Sequence, residues 1–188
     1  MKFMYIDLET TGVNPKMNGI CQIGGIIVAN GQTEEFNWYM NPGPVRIEPG
    51  AMGLNGISIE KMRESPSSKE RYEQFQVLAG KYVNKYDPGD KFYFIGYNSD
   101  FDMNFMRSWF EDNQDQYLGS WFYYPPLDVM QVAAFKLMGE RKNLQNLKLS
   151  TVYEYVLKKP LMHGHDAMND IRATKELLSE LTSQYGLF

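Results

Sequence analysis

The chain has one cysteine, two histidines and no surplus of positive charge. The single thiol, Cys21, excludes a disulfide framework and a cysteine-based zinc site, and its place in the apolar run ICQIGGIIV reads as a buried structural thiol. With 23 acids against 19 bases the formal charge is −4, which argues against holding nucleic acid by bulk positive field alone. No window reaches the ~18 continuous apolar residues of a membrane span, and no charged-then-apolar signal segment opens the chain. The expected setting is the cytoplasm, with no membrane partner. No internal repeat, low-complexity tract or composition shift divides the chain, so residues 1 to 188 are expected to form a single domain burying roughly 70% of its unfolded surface.

What is present is an ordered series of strand and helix patterns. Residues 3 to 8, 20 to 29 and 34 to 40 are rich in Ile, Val, Phe, Tyr and Trp and are separated by the turn signals GVNPKMNG and ANGQ, which predicts an antiparallel meander. The segment NPGPVRIEPGAMGLNG reads as a loop, followed by helices around 58 to 63 and 68 to 85. Residues 92 to 97 are nearly continuously apolar, as in a strand buried on both faces, and their position after a helix suits a parallel crossover onto the meander. Helices are expected at 100 to 111, 128 to 138, 144 to 158 and 166 to 184, and the tyrosine-rich YLGSWFYYPP, 117 to 126, reads as a loop packing its aromatics inward. The fold class is α/β, a mixed central sheet flanked by helices.

Three places set acids against apolar stripes. Asp7 and Glu9 in MYIDLETTG share one face of a strand, and at ~3.3 Å rise per residue they project side by side. Unneutralised carboxylates ~4 Å apart would repel by about 4 kcal/mol at an effective dielectric near 20, so such a pair is solvated, protonated or bound to a cation. The adjoining TTG supplies a turn where a ligand can approach the main chain. In GYNSDFDMNFM, Asn98 or Ser99 can cap a helix, with Ser99 and Asp102 resembling a capping box. Asp102 nonetheless falls in register with Phe105, Met106 and Trp109, on the stripe that faces the core, whereas Asp100 lies off it as a solvated first-turn acid. In HGHDAMNDIRATKELLSEL the stripe is Ala167, Ile171, Thr174, Leu178 and Leu181; Asp170 borders it and His165 precedes the helix. Four such acids holding two divalent cations would bring the formal charge of −4 to zero, so an acidic chain still admits a polyanionic substrate if metal stands between protein and phosphate.

Together DLETTG, YNSDFD and HDAMND resemble the three signature blocks of the DnaQ-like 3′-to-5′ exonucleases of the DEDD superfamily, in the subtype with histidine in its last block. Asp7 and Glu9 match the first block, Asp102 the end of the second, and His165 with Asp170 the third; the tyrosine subtype would need Tyr where this chain has Asp166. Tyr97, Ser99 and Asn55 depart from residues common in the family, and none of the three is a metal ligand in the resemblance. The resemblance implies a ribonuclease H-like fold. It implies that Asp7, Glu9, Asp102 and Asp170 hold two Mg²⁺ or Mn²⁺ ions and that His165 is the general base. Leu8, Thr10 and Thr11 would receive the terminal nucleotide through the backbone, with Asn98 and Phe101 against sugar or base. The implied substrate is nucleic acid with a free 3′ end, single-stranded DNA before RNA or oligoribonucleotides, with nucleoside 5′-monophosphates as product. A polymerase or another replication or repair protein is the implied partner. The reading of another class is an idle nucleic-acid-binding or polymerase-docking module; degenerate members should lose an acid, and here none is missing.

Overall fold

Hydrophobic alternation along the first strand decides the layering. In the computed structural model, which describes residues 1–162 and 166–186, the chain opens with β1 (Phe3–Thr10), β2 (Ile20–Ala29) and β3 (Gln32–Tyr39), paired antiparallel in sequence. The β2–β3 hairpin turns on Asn30 and Gly31, both at positive φ (55° and 75°), the conformation a two-residue turn between twisted strands requires. β4 (Phe92–Gly96) then pairs parallel to β1 and β5 (Phe122–Asp128) parallel to β4, giving the order β3-β2-β1-β4-β5. The mixed sheet with helices on both faces is the expected α/β architecture.

Met4, Ile6 and Leu8 of β1 pack with Phe92 and Phe94 against α3 (Ser68–Gly80) and α4 (Ser99–Asp112), a layer dense in aromatic rings such as Phe75, Trp109 and Phe110. On the other face Tyr5, Ile26 and Ile95 lie under α5 (Val129–Lys136), α6 (Leu149–Leu157) and α7 (Ala167–Thr182). β2 is buried along almost its whole length, as a run that is apolar but for Gln22 anticipates. Among the described residues no helix is long and apolar enough to cross a membrane.

Four expectations need correction. The stretch 41 to 56, read as a loop, contains α1 (Pro49–Asn55), which starts with proline in its first turn, stops at Gly56 with φ 66°, and buries no residue, so no apolar stripe announces it. It is followed by α2 (Ile59–Glu64), close to expectation. The helix expected over 68 to 85 ends at Gly80, with Val83 tucked into the core by the turns that follow. The helix expected from 144 starts at Leu149, because Asn146 Oδ1 accepts the Lys148 N–H in a local turn. Last, the aromatic stretch read as a loop supplies β5. Pro125 and Pro126 hide it from a strand pattern, yet they are tolerated because β5 is a sheet edge with one side free of ladder bonds.

Candidate active site

The site forms where β1 outlasts its parallel neighbour. β4 pairs only with Phe3 to Tyr5, so the remainder of β1 runs on past the point where the chain leaves the sheet for α4. Asp7 and Glu9 lie on this overhang. They continue the face of Tyr5, which is the α7 face, and each is only half-buried.

Asp102 arrives from the opposite layer. Asn98 takes a left-handed conformation (φ 62°) to turn the chain into α4, and its N–H donates to Asp128 Oδ1 at 2.9 Å. The capping box anticipated from Ser99 and Asp102 is absent: Asn98 is the cap residue, and the buried Ser99 hydroxyl has no partner. Asp102, 3% exposed, accepts the Leu8 N–H at 3.0 Å, an N–H that no β4 residue reaches on the overhang. That bond fixes the α4 carboxylate against β1 between its two acids.

Asp170 comes with the first turn of α7. Asp166 caps this helix by accepting the Asn169 N–H at 3.1 Å. Opposite Asp7 on β2 stands Gly24, where a Cβ would lie 2.5 to 2.7 Å from the backbone of Ala167 and Met168, so the absent side chain is what lets the helix end descend onto the sheet. One carboxylate oxygen from each of Asp7, Glu9 and Asp170 then falls within 4.8 Å of the others.

Such crowding has an electrostatic signature. The Asp7 carboxyl is held well above the ordinary carboxylate range, first by burial and then by the charges of Asp102, Asp170, Glu9 and Asp166. Glu9 is pushed up to about 7 by burial and by Asp170 and Asp166. Burial also raises Asp102, against the lowering effect of the Leu8 N–H. Among the described residues the side chains that perturb these groups are acids, a crowding that protons or a bound cation would relieve. An all-oxygen set of this kind fits hard divalent ions such as Mg²⁺ or Mn²⁺.

The structure therefore brings together Asp7, Glu9 and Asp170, with Asp102 alongside. His165 and His163 lie outside the described residues. Leu8 is buried with its N–H committed to Asp102. Thr10 Oγ1 donates to the Gly12 carbonyl, while its own carbonyl accepts from Asn55 Nδ2. Thr11 is fully buried; its N–H donates to the Gly19 carbonyl, its carbonyl accepts from Glu48 N–H, and its hydroxyl donates to the Arg46 carbonyl. Asn98 is exposed, and Phe101 is partly buried with its ring 5.0 Å from that of Phe105. Sequence reasoning passed over Gly24, Asp166 and Gln22. The available signals were a polar residue, Gln22, and a gap at Gly24 within the apolar β2 run.

Comparison with known proteins bears on the family and the fold. The chain is 25% identical over 181 residues to the DNA polymerase III PolC-type of Caldanaerobacter subterraneus subsp. tengcongensis, covering 96% of this chain but 11% of that protein. It is 37% identical over 112 residues to the 3′-5′ exonuclease DinG of Bacillus subtilis, covering 56% of this chain and 10% of that protein. The chain thus spans about a tenth of the length of these relatives. The 3′-5′ DNA exonuclease Cap18 of Escherichia coli is 28% identical over 177 residues, which cover 93% of this chain and 88% of that protein. Among solved structures, E. coli exonuclease I in complex with a dT13 oligonucleotide superposes with a TM-score of 0.76 at 22% identity, over 98% of this chain and 42% of that one. The shared fold is ribonuclease H-like. The RNase_T family model, described as exonuclease, matches residues 4–178, and the chain belongs to that exonuclease family.

Proposed function

We propose that this chain is a metal-dependent 3′-to-5′ exonuclease that hydrolyses the terminal phosphodiester of single-stranded DNA and releases nucleoside 5′-monophosphates. The convergence of carboxylate oxygens from Asp7, Glu9 and Asp170 within 4.8 Å, beside Asp102, carries the reading. These four acids would hold two Mg²⁺ or Mn²⁺ ions. When bound, such ions neutralise phosphoryl charge, favour an attacking water and stabilise the leaving alkoxide. The acids come from two helix layers and one strand, so their spacing is set by the fold before substrate arrives. His165 would take the proton of the attacking water, a role that suits imidazole because an unperturbed histidine titrates at about 6.5, close to neutrality.

Since Leu8 and Thr11 spend their backbone groups inside the fold, nucleotide contact at the β1 end would fall to the remaining main-chain groups near Thr10 and to the exposed Asn98, with Phe101 beside it. The preference for DNA follows the names of the relatives: Cap18 is a DNA exonuclease, and exonuclease I was solved with an oligodeoxynucleotide. The PolC-type relatives are DNA polymerases by name, which favours a replication or repair setting with a polymerase as partner; the cytoplasm is the compartment that goes with this reading. The test is degradation of matched 5′-labelled DNA and RNA strands in Mg²⁺ and in Mn²⁺. Stepwise shortening of DNA, abolished in Asp102→Ala and His165→Ala, is expected; undiminished activity in either variant overturns the assignment. Faster loss of RNA would transfer the substrate to oligoribonucleotides, because only contact with the 2′-hydroxyl separates the two.

A further inference from the structure

Gln22 is a polar side chain in a strand otherwise built of Ile, Cys, Val, Gly and Ala, and it is 1% exposed. A buried amide has to find partners, and where it finds them shows which elements it ties together. Gln22 stands directly opposite Glu9 in the β1–β2 ladder. Its Nε2 donates to Asn37 Oδ1 on β3 at 2.9 Å and to Asp166 Oδ2 at 3.2 Å. The other oxygen of that same Asp166 carboxylate accepts the Asn169 N–H that closes the first turn of α7. A single polar chain therefore runs from β3 through β2 to the helix end, and Asp166 is the residue that follows His165 in the sequence.

Two residues along β2, Gly24 lets the Ala167–Met168 backbone sit where any side chain would collide. The helix end is thus pressed onto the sheet at one point and hydrogen-bonded at a second, one strand position from Glu9. Two fixed points restrain both its height and its rotation about its own axis. Asp170 lies one turn further along and inherits both restraints.

We infer that Gln22 is a positioning residue of the site: through Asp166 it sets the first turn of α7 so that Asp170 meets Asp7 and Glu9. This rests on the exonuclease reading above. An apolar side chain of similar size would fill the same space but leave Asp166 without its donor, and a carboxylate would repel it. Exchanging donor and acceptor across the contact should restore the bond, since an acid at 22 can accept from an amide at 166.

The experiment uses the full chain and three variants, Gln22→Met, Gln22→Glu, and Gln22→Glu combined with Asp166→Asn, each checked for folding by circular dichroism. Mn²⁺ affinity is measured by titration without substrate, and kcat and KM on a DNA oligomer are measured separately. Gln22→Met is expected to weaken Mn²⁺ binding and kcat about 10- to 100-fold, as removal of groups that orient metal ligands commonly does. KM should move less than about threefold, because the lost interaction serves the reacting centre. Gln22→Glu should fall further, and the double variant should recover at least about tenfold over it in both affinity and kcat, which a merely structural role would not produce. Folded Gln22→Met with wild-type affinity and kcat, or a double variant no better than Gln22→Glu, would overturn the inference alone. A wild-type chain that neither binds Mn²⁺ nor degrades the oligomer would overturn the exonuclease reading, and this inference with it.

Discussion

Two environments follow one another along a single face of β1. Tyr5 is buried in the same apolar cluster as Ile171, Leu177 and Leu178 of α7, and the raised pKa of its hydroxyl, pushed to about 12 by burial alone, records an apolar surrounding. Two and four residues on, Asp7 and Glu9 face the first turn of that helix and meet mainly other carboxylates. The same strand and helix that build the core at one end assemble like charges at the other. What differs is the helix turn overhead: apolar contact accumulates on its distal turns, while its N-terminus brings an acid and a close backbone approach at Gly24. The apolar end holds the charged end in place.

Substitutions in the two halves should therefore have opposite signatures. Asp7→Asn removes a carboxylate proposed to hold metal and the most crowded charge, so kcat should fall on the order of 10³-fold, the size found for electrostatic groups at reacting centres. The metal-free protein should at the same time gain stability, read as a melting temperature about 2 to 4 °C higher if ~1 kcal/mol of repulsion is relieved. Unchanged kcat, or a lower melting temperature in the metal-free state, would break the comparison. In the apolar half, Leu178→Ala leaves a cavity under a fully buried position and should cost about 2 to 5 kcal/mol in denaturant unfolding. Its kcat per folded molecule should stay within about threefold, since the deletion lies two turns beyond Asp170 and away from the acids.

The charged half also predicts how stability responds to pH. Glu9 keeps its proton up to about pH 7 in the folded protein but only to its ordinary value of 4.5 when unfolded, so between these values the folded state binds more protons. Stability of the metal-free protein should therefore fall as pH rises from about 4.5 through 7, by up to about 3 kcal/mol from Glu9. Asp7 and Asp102, raised in the same direction, should add to the slope. Mg²⁺ or Mn²⁺ at 100 times its dissociation constant should return about 2.7 kcal/mol and flatten the profile. Urea melts at pH 5 and 7.5, with metal and with chelator, check both; a metal-free protein more stable at 7.5 contradicts the crowding.

The same contrast explains what the chain's sequence discloses. Periodicity reports burial, so β1, β2, β4, α4 and α7 were readable, and an acid in register with an apolar stripe, as at Asp102, betrays a site because burial without a partner is costly. α1 buries nothing and β5 contains adjacent prolines, so neither has a period to detect. Gly24 was legible only as a gap in an apolar run, since its role depends on a helix 143 to 144 residues away, at Ala167 and Met168. Asn98 illustrates a further limit: its left-handed turn and its bond to Asp128 replace the capping box that local spacing suggested, because the tertiary contact of Asp102 with Leu8 claims the acid. Thr11 is similar: its N–H, carbonyl and hydroxyl, which read as available in TTG, are claimed by residues from 18 to 48.

The smallest expected effect sharpens the comparison most. Asp100 and Asp102 occupy the same first turn of α4 and are chemically identical, but their side chains point about 200° apart around the helix. Asp100 faces solvent, where its charge interacts with water and with the helix N-terminus, a favourable contribution of a few tenths of a kcal/mol. Asp102 is buried against the Leu8 N–H and within the field of the other acids. Asp100→Asn should accordingly change unfolding free energy by no more than about 0.5 kcal/mol and leave kcat and Mn²⁺ affinity within about twofold, whereas Asp102→Asn should abolish measurable turnover. Measuring the two variants side by side separates position on the helix from the mere presence of an acid near the site. A large loss of Mn²⁺ affinity in Asp100→Asn would mean that the site draws on the general acidity of this helix end, and the distinction between the two faces of α4 would fail.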